Sequence, residues 1–282
     1  MAGGGPSRRR PPSPAVRRAL APLLVDPATT AIVSDFDGTL SPIVDGPAEA
    51  RPLDGAPGVL ARLARRFRVV AVVSGRPASF LVEHLAEAGD GAGSDTPPLR
   101  LVGLYGLEAA MGDGTIAPEP DAARWRPVID EVVGRLRSGA PPGALVEAKG
   151  LAVTVHWRTA PDAESWASAA VAAESEATGL RSHRGRMSLE LRPPLAIDKG
   201  SVVRRLLDGC TAGCYLGDDL GDLPAFAALA QAAAEDGAAT VAVAVVDDES
   251  PPEVLEAADV VLRGPTEALA VLEWLARAGT ER

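Results

Sequence analysis

Asp35 and Asp37 are the first side chains in the sequence whose types and spacing can do chemistry. Asp35 ends the short apolar, β-rich segment 30–35, and Gly38 follows as part of a turn signal. Strand side chains alternate, so both carboxylates can address one point beyond the strand's carboxyl end. Two close carboxylates repel each other, and a cation would relieve that repulsion. Taken alone, the pattern also fits a calcium-type loop or a plain strand-to-turn exit.

Ser74 and Arg76 form the second group, at the end of the apolar segment 68–74. A hydroxyl beside the exposed amides of a helix N-terminus can hold phosphate oxygens. A guanidinium at Arg76 can add a bidentate clamp on the same anion. A serine that caps the following helix is the simpler alternative.

Lys199 stands in the first turn of a predicted helix that begins at Asp198. A positive charge at a helix N-terminus interacts unfavourably with the helix dipole, so a functional role would explain the position of this lysine. Neutralising a phosphate and a nucleophilic carboxylate would be one reason, and a solvated surface lysine is the alternative.

Asp218, Asp219 and Asp222 follow another apolar segment, 212–216. Three carboxylates within five residues at a strand exit make a hard-oxygen cluster suited to Mg²⁺. Acidic surface turns are common, so the isolated cluster does not decide the matter.

The elements that would position these groups alternate between strand and helix before residue 107 and after residue 193. The buried apolar run 68–74 is typical of a strand covered on both faces, and such alternation favours parallel βαβ units. The middle of the chain differs, because it predicts a hairpin over 108–117, further antiparallel strands and two helices. Those patterns predict strands at 144–148, 151–157 and 187–192, and helices at 122–137 and 163–177.

The predicted fold class is therefore α/β, with a parallel core interrupted by a smaller α+β module. We assign residues 21–107 and 193–282 to the core and 108–192 to the inserted module. Residues 1–20, which hold five arginines and no acids, are predicted to be a disordered arm.

The net charge of −10 argues against non-specific nucleic-acid binding. Cys210 and Cys214 are the only cysteines, too few for a disulfide scaffold or a four-ligand zinc site. No apolar run approaches the roughly 18 residues of a membrane span. These features predict a cytoplasmic protein without nucleic-acid or membrane partners, and we expect a monomer.

The four groups in this order resemble the haloacid dehalogenase (HAD) superfamily of phosphotransferases, over about residues 30 to 280. More narrowly, six segments resemble the trehalose-6-phosphate phosphatase family: DFDGTLSPI, VVSGRP, GLYGLE, VEAKGLAVTVHWR, RMSLELRPPLAIDKG and GDDLGDLPAF. The middle segments discriminate, because they lie in the inserted module. The chain departs from the family pattern at Tyr105, Ala148 and Gly221, where the family often has His, Asp and Thr.

The resemblance implies a Rossmann-like HAD core with a cap domain, and Mg²⁺-dependent hydrolysis of trehalose 6-phosphate. Asp35 would be the nucleophile and Asp37 the general acid and base. Ser74 and Lys199 would hold the transferring oxygens. The Asp35 carboxylate, the Asp37 backbone carbonyl and Asp218 would bind Mg²⁺. Asp219 and Asp222 would orient the metal shell and Lys199.

The resemblance also assigns sugar-binding side chains to the cap, at Glu147, Lys149, Arg186 and Glu190, with Arg76 nearby. A surface ion pair is the alternative for Arg186 and Glu190. Two other hypotheses stay open: another sugar phosphate, such as a sucrose phosphate or a glycosyl-phosphoglycerate, or an inactive subunit that binds a sugar phosphate or a synthase partner.

Overall fold

The computed structural model describes residues 9–44, 46–85, 99–111, 114–185, 187–248 and 250–278. Within these residues, no helix has the length and apolar character needed to span a membrane. The strands are β1 Thr30–Ser34, β2 Val69–Val73, β3 Arg100–Gly103, β4 Glu108–Ala110, β5 Ile116–Pro118, β6 Leu145–Ala148, β7 Val153–His156, β8 Arg181–Gly185, β9 Ser188–Arg192, β10 Ala212–Gly217, β11 Ala239–Val246 and β12 Val260–Arg263. The helices are α1 Pro14–Leu20, α2 Ala56–Ala64, α3 Ala78–Leu85, α4 Pro120–Ala123, α5 Arg126–Gly139, α6 Glu164–Thr178, α7 Lys199–Leu206, α8 Leu223–Asp236, α9 Pro252–Glu256 and α10 Gly264–Arg277.

The larger sheet has eight strands in the order β12-β11-β10-β1-β2-β3-β4-β5. The strands from β12 to β3 run parallel, whereas β4 and β5 are antiparallel to their neighbours. In the register, Ser34 of β1 pairs with Leu216 of β10 on one side and Val72 of β2 on the other. The carboxyl ends of these three strands therefore meet at one edge of the sheet, where open α/β sheets bind ligands.

Both faces of the large sheet are covered, which explains its nearly continuous apolar strands. Every residue of β1 and β2 is buried. Alternating side chains enter two separate apolar clusters: Ile32 packs with α2 and α10 residues, and Val33 packs with α7 and α8 residues. The prediction of an α/β core with a parallel sheet is confirmed by this arrangement.

A second sheet of four antiparallel strands, in the order β6-β7-β9-β8, forms a separate module with α5 and α6. One face of this sheet carries Val146, Val155 and Leu191, which pack with both helices and the buried Trp157. The opposite face carries charged and polar residues. We call β6–β9 with α5 and α6 the second module.

Two domain assignments from the sequence differ from the structure. The hairpin β4–β5, assigned to the inserted module 108–192, pairs instead with β3 and extends the large sheet. The segment assigned to a disordered arm, 1–20, ends in helix α1, whose Leu20 is fully buried in the core. The prediction of disorder is thus wrong for Pro14–Leu20, because an apolar side chain anchors this helix and Ser13 caps it.

Candidate active site

The candidate site lies at the carboxyl edge of the large sheet, where three neighbouring strands end. Asp35 directly follows β1, Ser74 follows β2 and Asp218 follows β10. The parallel register brings these chain exits together, as the sequence pattern predicts. We call Asp35, Asp37, Ser74, Lys199 and Asp218 the strand-end cluster.

Lys199 is brought to Asp35 by helix α7, at whose first turn it stands. Asp198 caps this helix by accepting a hydrogen bond from the Ser201 amide at 2.7 Å. The Lys199 Nζ lies 3.0 Å from Asp35 Oδ2 and 2.6 Å from Asp222 Oδ1. Burial lowers the pKa of Lys199, but the carboxylates of Asp222 and Asp35 outweigh it and raise this pKa well above its ordinary value. The buried lysine is therefore a fixed positive charge beside Asp35.

Asp222 is fully buried and holds this arrangement together. Its Oδ1 accepts hydrogen bonds from Lys199 Nζ and from the Tyr215 hydroxyl, both at 2.6 Å. Its Oδ2 accepts from the backbone amides of Asp218 at 2.9 Å and Asp219 at 3.1 Å. Each Asp222 oxygen thus accepts two hydrogen bonds. Through them Asp222 can orient Lys199 and the loop after β10.

Asp35, Asp218 and Asp222 place carboxylate oxygens within 4.8 Å of one another. Burial, together with the charges of neighbouring aspartates, raises the pKa values of Asp35 and Asp218 well above the ordinary range, although Lys199 opposes the shift. Close carboxylates repel one another when ionised, and their oxygens are the ligands that divalent cations prefer, so this cluster could hold such an ion. Because Asp222 is saturated by its own donors, the carboxylates of Asp35 and Asp218 remain for such an ion.

Gly38 allows Asp218 to come this close to the Asp35 loop. Its φ is +70°, and a Cβ built there would lie 2.0 Å from Asp218 Oδ2. A side chain at position 38 would thus occupy the space of the Asp218 carboxylate and would strain the backbone.

Asp37 and Arg76 form a bidentate ion pair across the loops that follow β1 and β2. Arg76 Nε donates to Asp37 Oδ2 at 2.8 Å, and Nη2 donates to Oδ1 at 2.7 Å. The guanidinium also lies 4.8 Å from the centre of the Phe80 ring. The sequence predicts Arg76 as a phosphate clamp, whereas here its guanidinium holds Asp37.

Ser74 is buried at the end of β2, and its hydroxyl accepts a hydrogen bond from the Arg76 amide at 3.1 Å. The Ser74 carbonyl accepts from the Tyr105 amide at 2.9 Å, which ties the β3 exit to the β2 exit. The backbone around Ser74 is thus held on two sides.

The polar face of the second module lies opposite the strand-end cluster. In the register, Glu147 pairs with Thr154, and Thr154 pairs with Glu190, so these side chains share one face. His156 and Arg192, two residues further along β7 and β9, lie on the same face. Lys149 directly follows β6, and its Nζ lies 3.0 Å from Glu190 Oε1. Glu147, Lys149 and His156, which we call the polar wall, line a cavity together with four members of the cluster, Asp35, Asp37, Ser74 and Lys199.

This cavity has a volume of about 190 Å³. From the large sheet and its loops it is lined by Asp35, Asp37, Ser74, Gly75, Arg76, Tyr105, Lys199 and Asp219, and from the second module by the polar wall. Glu147 Oε2 lies 2.8 Å from His156 Nε2 and 3.8 Å from Lys149 Nζ. Burial raises the pKa of Glu147, but His156 and Lys149 outweigh it and hold this pKa below its ordinary value.

Glu190 lies behind the polar wall and is buried. Its Oε1 accepts from Lys149 Nζ and the Thr154 hydroxyl, each at 3.0 Å, and its Oε2 accepts from Arg192 Nε at 2.5 Å. Burial raises the pKa of Glu190, but the positive charges of Lys149 and Arg192 outweigh it and lower this pKa. In this arrangement Glu190 fixes Lys149 and does not line the cavity.

Sequence reasoning missed three residues of this network: Thr154, Arg192 and Tyr215. Thr154 lies opposite Glu190 in the neighbouring strand, and this pairing could have been predicted only if the strand register were known from the sequence. Arg186 lies outside the described residues. Ala148, where the chain departs from the family pattern, is exposed and does not line the cavity.

Known proteins resemble this chain in sequence and in overall fold. The trehalose-phosphatase family matches residues 33–258. A curated trehalose-phosphate phosphatase from Mycolicibacterium paratuberculosis is 40% identical over 209 residues, which are 71% of this chain and 51% of that protein. The C-terminal domain of trehalose-6-phosphate phosphatase from C. albicans has a similar structure, with a TM-score of 0.72 at 22% identity, covering 94% of this chain and 98% of that one.

A phosphatase of the haloalkanoate (HAD) superfamily from Bacteroides thetaiotaomicron is similar at a TM-score of 0.50 and 16% identity, over 86% of this chain and 92% of that one. The chain spans about half the length of the curated relatives that it matches. Because the family match extends through both the large sheet and the second module, the chain belongs to the trehalose-phosphatase family.

Proposed function

We propose that the protein hydrolyses trehalose 6-phosphate to trehalose and phosphate, with Mg²⁺ and through an aspartyl-phosphate at Asp35. The observation that carries the proposal is the cavity between the strand-end cluster and the polar wall. The strand-end cluster offers the nucleophile Asp35 beside the buried ammonium group of Lys199, and the polar wall offers charged groups suited to sugar hydroxyls. The second module acts as the cap in this proposal.

In the first step, an Asp35 oxygen attacks phosphorus in line and the bond from phosphorus to the sugar oxygen breaks. The leaving sugar oxygen takes a proton from Asp37. In the second step, water attacks the aspartyl-phosphate, Asp37 takes the water proton and phosphate is released with Asp35 restored. Lys199, 3.0 Å from Asp35, neutralises the oxygens that carry charge in both steps.

Asp37 has to be freed, and has to take up a proton from solvent, before it can serve as the acid. Both of its oxygens are held by Arg76. We infer that substrate phosphate draws the guanidinium away from Asp37, because Arg76 binds phosphate and carboxylate with the same bidentate geometry. In this proposal Arg76 holds Asp37 before the substrate binds and holds the phosphate afterwards.

Mg²⁺ fits the donor set described above. The carboxylates of Asp35 and Asp218 and the backbone carbonyl of Asp37 would hold it, with Asp219 and Asp222 ordering the loop around Asp218. When bound, the ion supplies positive charge that lets an anionic nucleophile approach an anionic phosphate. Ser74 and Lys199 hold the transferring oxygens in place.

The polar wall would bind the sugar. Glu147 and Lys149 line the cavity and offer an acceptor and a donor for sugar hydroxyls. Glu190 supports Lys149 from behind, and Arg186 remains a predicted sugar ligand. We place the reaction in the cytoplasm with a monomer as the catalytic unit, and size-exclusion chromatography with light scattering tests the latter.

A phosphate-release screen over sugar phosphates, with and without Mg²⁺, tests the proposal. We expect trehalose 6-phosphate to be hydrolysed fastest and activity to require the metal. Glu147→Ala should raise KM for trehalose 6-phosphate, whereas Glu131→Ala, which removes an exposed glutamate of the same module, should not. Equal or faster hydrolysis of other sugar phosphates would refute the substrate assignment.

A different sugar phosphate is the second candidate, favoured by one observation. Tyr105, which departs from the family pattern, lines the cavity. If the polar wall and Tyr105 select a sucrose phosphate or a glycosyl-phosphoglycerate, the screen would show its kcat/KM above that of trehalose 6-phosphate, and Glu147→Ala would affect that compound most.

A further inference from the structure

Tyr105 has an unusual backbone conformation at the exit of β3. Leu104 and Tyr105 have φ values of 49° and 60°, in the left-handed region that favours glycine. Both are held there by their amides: Leu104 donates to the Arg76 carbonyl and Tyr105 to the Ser74 carbonyl, each at 2.9 Å. Two successive residues held in this region cost folding free energy, and such strain clusters where a side chain has to be aimed.

The Tyr105 ring lies between Arg192 of the second module and Lys199 of the strand-end cluster. The Arg192 guanidinium carbon of the second module lies 3.4 Å from the ring centre, and Lys199 Nζ lies 5.9 Å from it. The ring also packs on Gly75, where a Cβ would lie 2.4 Å from the Tyr105 hydroxyl oxygen. Glycine at position 75, beside Ser74, is thus what makes room for this ring.

Arg192 continues the contact into the second module. It donates to Glu190 Oε2 at 2.5 Å, and Glu190 Oε1 accepts from Lys149 Nζ at 3.0 Å. Lys149 lines the cavity. A continuous set of contacts therefore joins the backbone at Ser74 to Lys149 through Tyr105, Arg192 and Glu190.

We propose that Tyr105 is a positioning residue whose ring, stacked on Arg192, sets the polar wall at the correct distance from the phosphate-binding end of the cavity. The role belongs to the ring face, since the cation–π attraction for the Arg192 guanidinium comes from an aromatic ring and is lost with an aliphatic side chain. The sugar end of the substrate then meets Lys149 and Glu147 while its phosphate is at Asp35. The proposal rests on the proposed function, because it concerns how that site reads the sugar.

The test compares trehalose 6-phosphate with para-nitrophenyl phosphate, which has no sugar for the polar wall to bind. Tyr105→Leu removes the stack, and Tyr105→Phe keeps it. We expect Tyr105→Leu to lower the ratio of kcat/KM for the sugar phosphate to that for the aryl phosphate by about 2- to 30-fold, mostly through KM. Tyr105→Phe should keep this ratio within about twofold of the wild-type ratio, since the ring face is retained.

Arg192→Lys provides a second variant, because it keeps a positive charge for Glu190 but loses the planar stack. It should lower the same ratio, and adding Tyr105→Leu to it should cost little more, since the two changes remove one contact. Equal losses on both substrates in Tyr105→Leu would indicate a merely structural residue and overturn the proposal. A Tyr105→Phe variant as impaired as Tyr105→Leu would also overturn it, by assigning the role to the hydroxyl.

The two proposals fail in different ways. If the wild-type protein prefers another sugar phosphate, the assignment to trehalose 6-phosphate fails, and the ratio measured with the preferred compound still tests Tyr105. If trehalose 6-phosphate is preferred and the Tyr105→Leu ratio matches the wild-type ratio, only the inference about Tyr105 is lost.

Discussion

Asp222→Asn is expected to destabilise the fold and to disable Lys199. Asp222 is fully buried and accepts four hydrogen bonds, two on each oxygen. An asparagine replaces one oxygen with an NH₂ donor, so two donors lose their acceptor and meet another donor instead. It also removes one of the two carboxylates that pair with the buried Lys199. Breaking a buried ion pair costs about 3 to 5 kcal/mol, and we expect the free energy of unfolding to fall by that amount.

Urea unfolding at pH 7, followed by circular dichroism, measures this loss. Asp219→Asn is the matched control, because Asp219 is exposed and accepts a local hydrogen bond from the Gly221 amide, whose loss should cost about 1 kcal/mol or less. Tyr215→Phe removes one of the four donors and should cost about 1 to 2 kcal/mol, which keeps the test readable if Asp222→Asn does not fold. An Asp222→Asn variant as stable as Asp219→Asn would refute the idea that Asp222 organises the site.

Three further outcomes are expected. Glu190→Gln should lower the free energy of unfolding at pH 7 by about 3 kcal/mol. The folded-state pKa of Glu190 lies below its ordinary value of 4.5, so the stabilisation by the ionised carboxylate is present above that value and disappears as the pH falls through the folded-state pKa. The unfolding free energies of the wild-type protein and the variant should therefore converge in acid. Mg²⁺ at about 100 times its Kd should stabilise the protein by about 2.7 kcal/mol in thermal unfolding, and Asp218→Asn should abolish the shift. Gly38→Ala should lower phosphatase activity and weaken the Mg²⁺-induced stabilisation, because its Cβ would lie 2.0 Å from Asp218 Oδ2; a wild-type response to Mg²⁺ would contradict the assigned close approach.

The large sheet and the strand-end cluster were predictable because their signals are local. Asp35, Ser74 and Asp218 each follow a continuous apolar run, and parallel strands place such exits at one edge. Lys199 was predictable as a functional residue because a lysine in the first turn of a helix interacts unfavourably with the helix dipole. Its partner Asp222 was predictable as an acid of the same cluster, but the saturation of both oxygens by four donors depends on three-dimensional packing.

The second module was harder to predict. Strand β8, Arg181–Gly185, is exposed throughout and has no apolar alternation, so no pattern marked it. The hairpin β4–β5 was recognised, but which sheet it joins depends on its pairing with β3. The contact between Arg192 and Tyr105 joins two residues far apart in sequence and has no motif, so it could be found only in the structure.

The initial rate of phosphate release from trehalose 6-phosphate with Mg²⁺, measured for the wild-type protein and Asp35→Asn in parallel, tests the central claim most directly. The account predicts rapid release by the wild-type protein and none above background by the variant, with both folded by circular dichroism. Release by Asp35→Asn at the wild-type rate would contradict Asp35 as the nucleophile. No release by the wild-type protein would contradict the proposed phosphatase and favour an inactive sugar-phosphate-binding subunit.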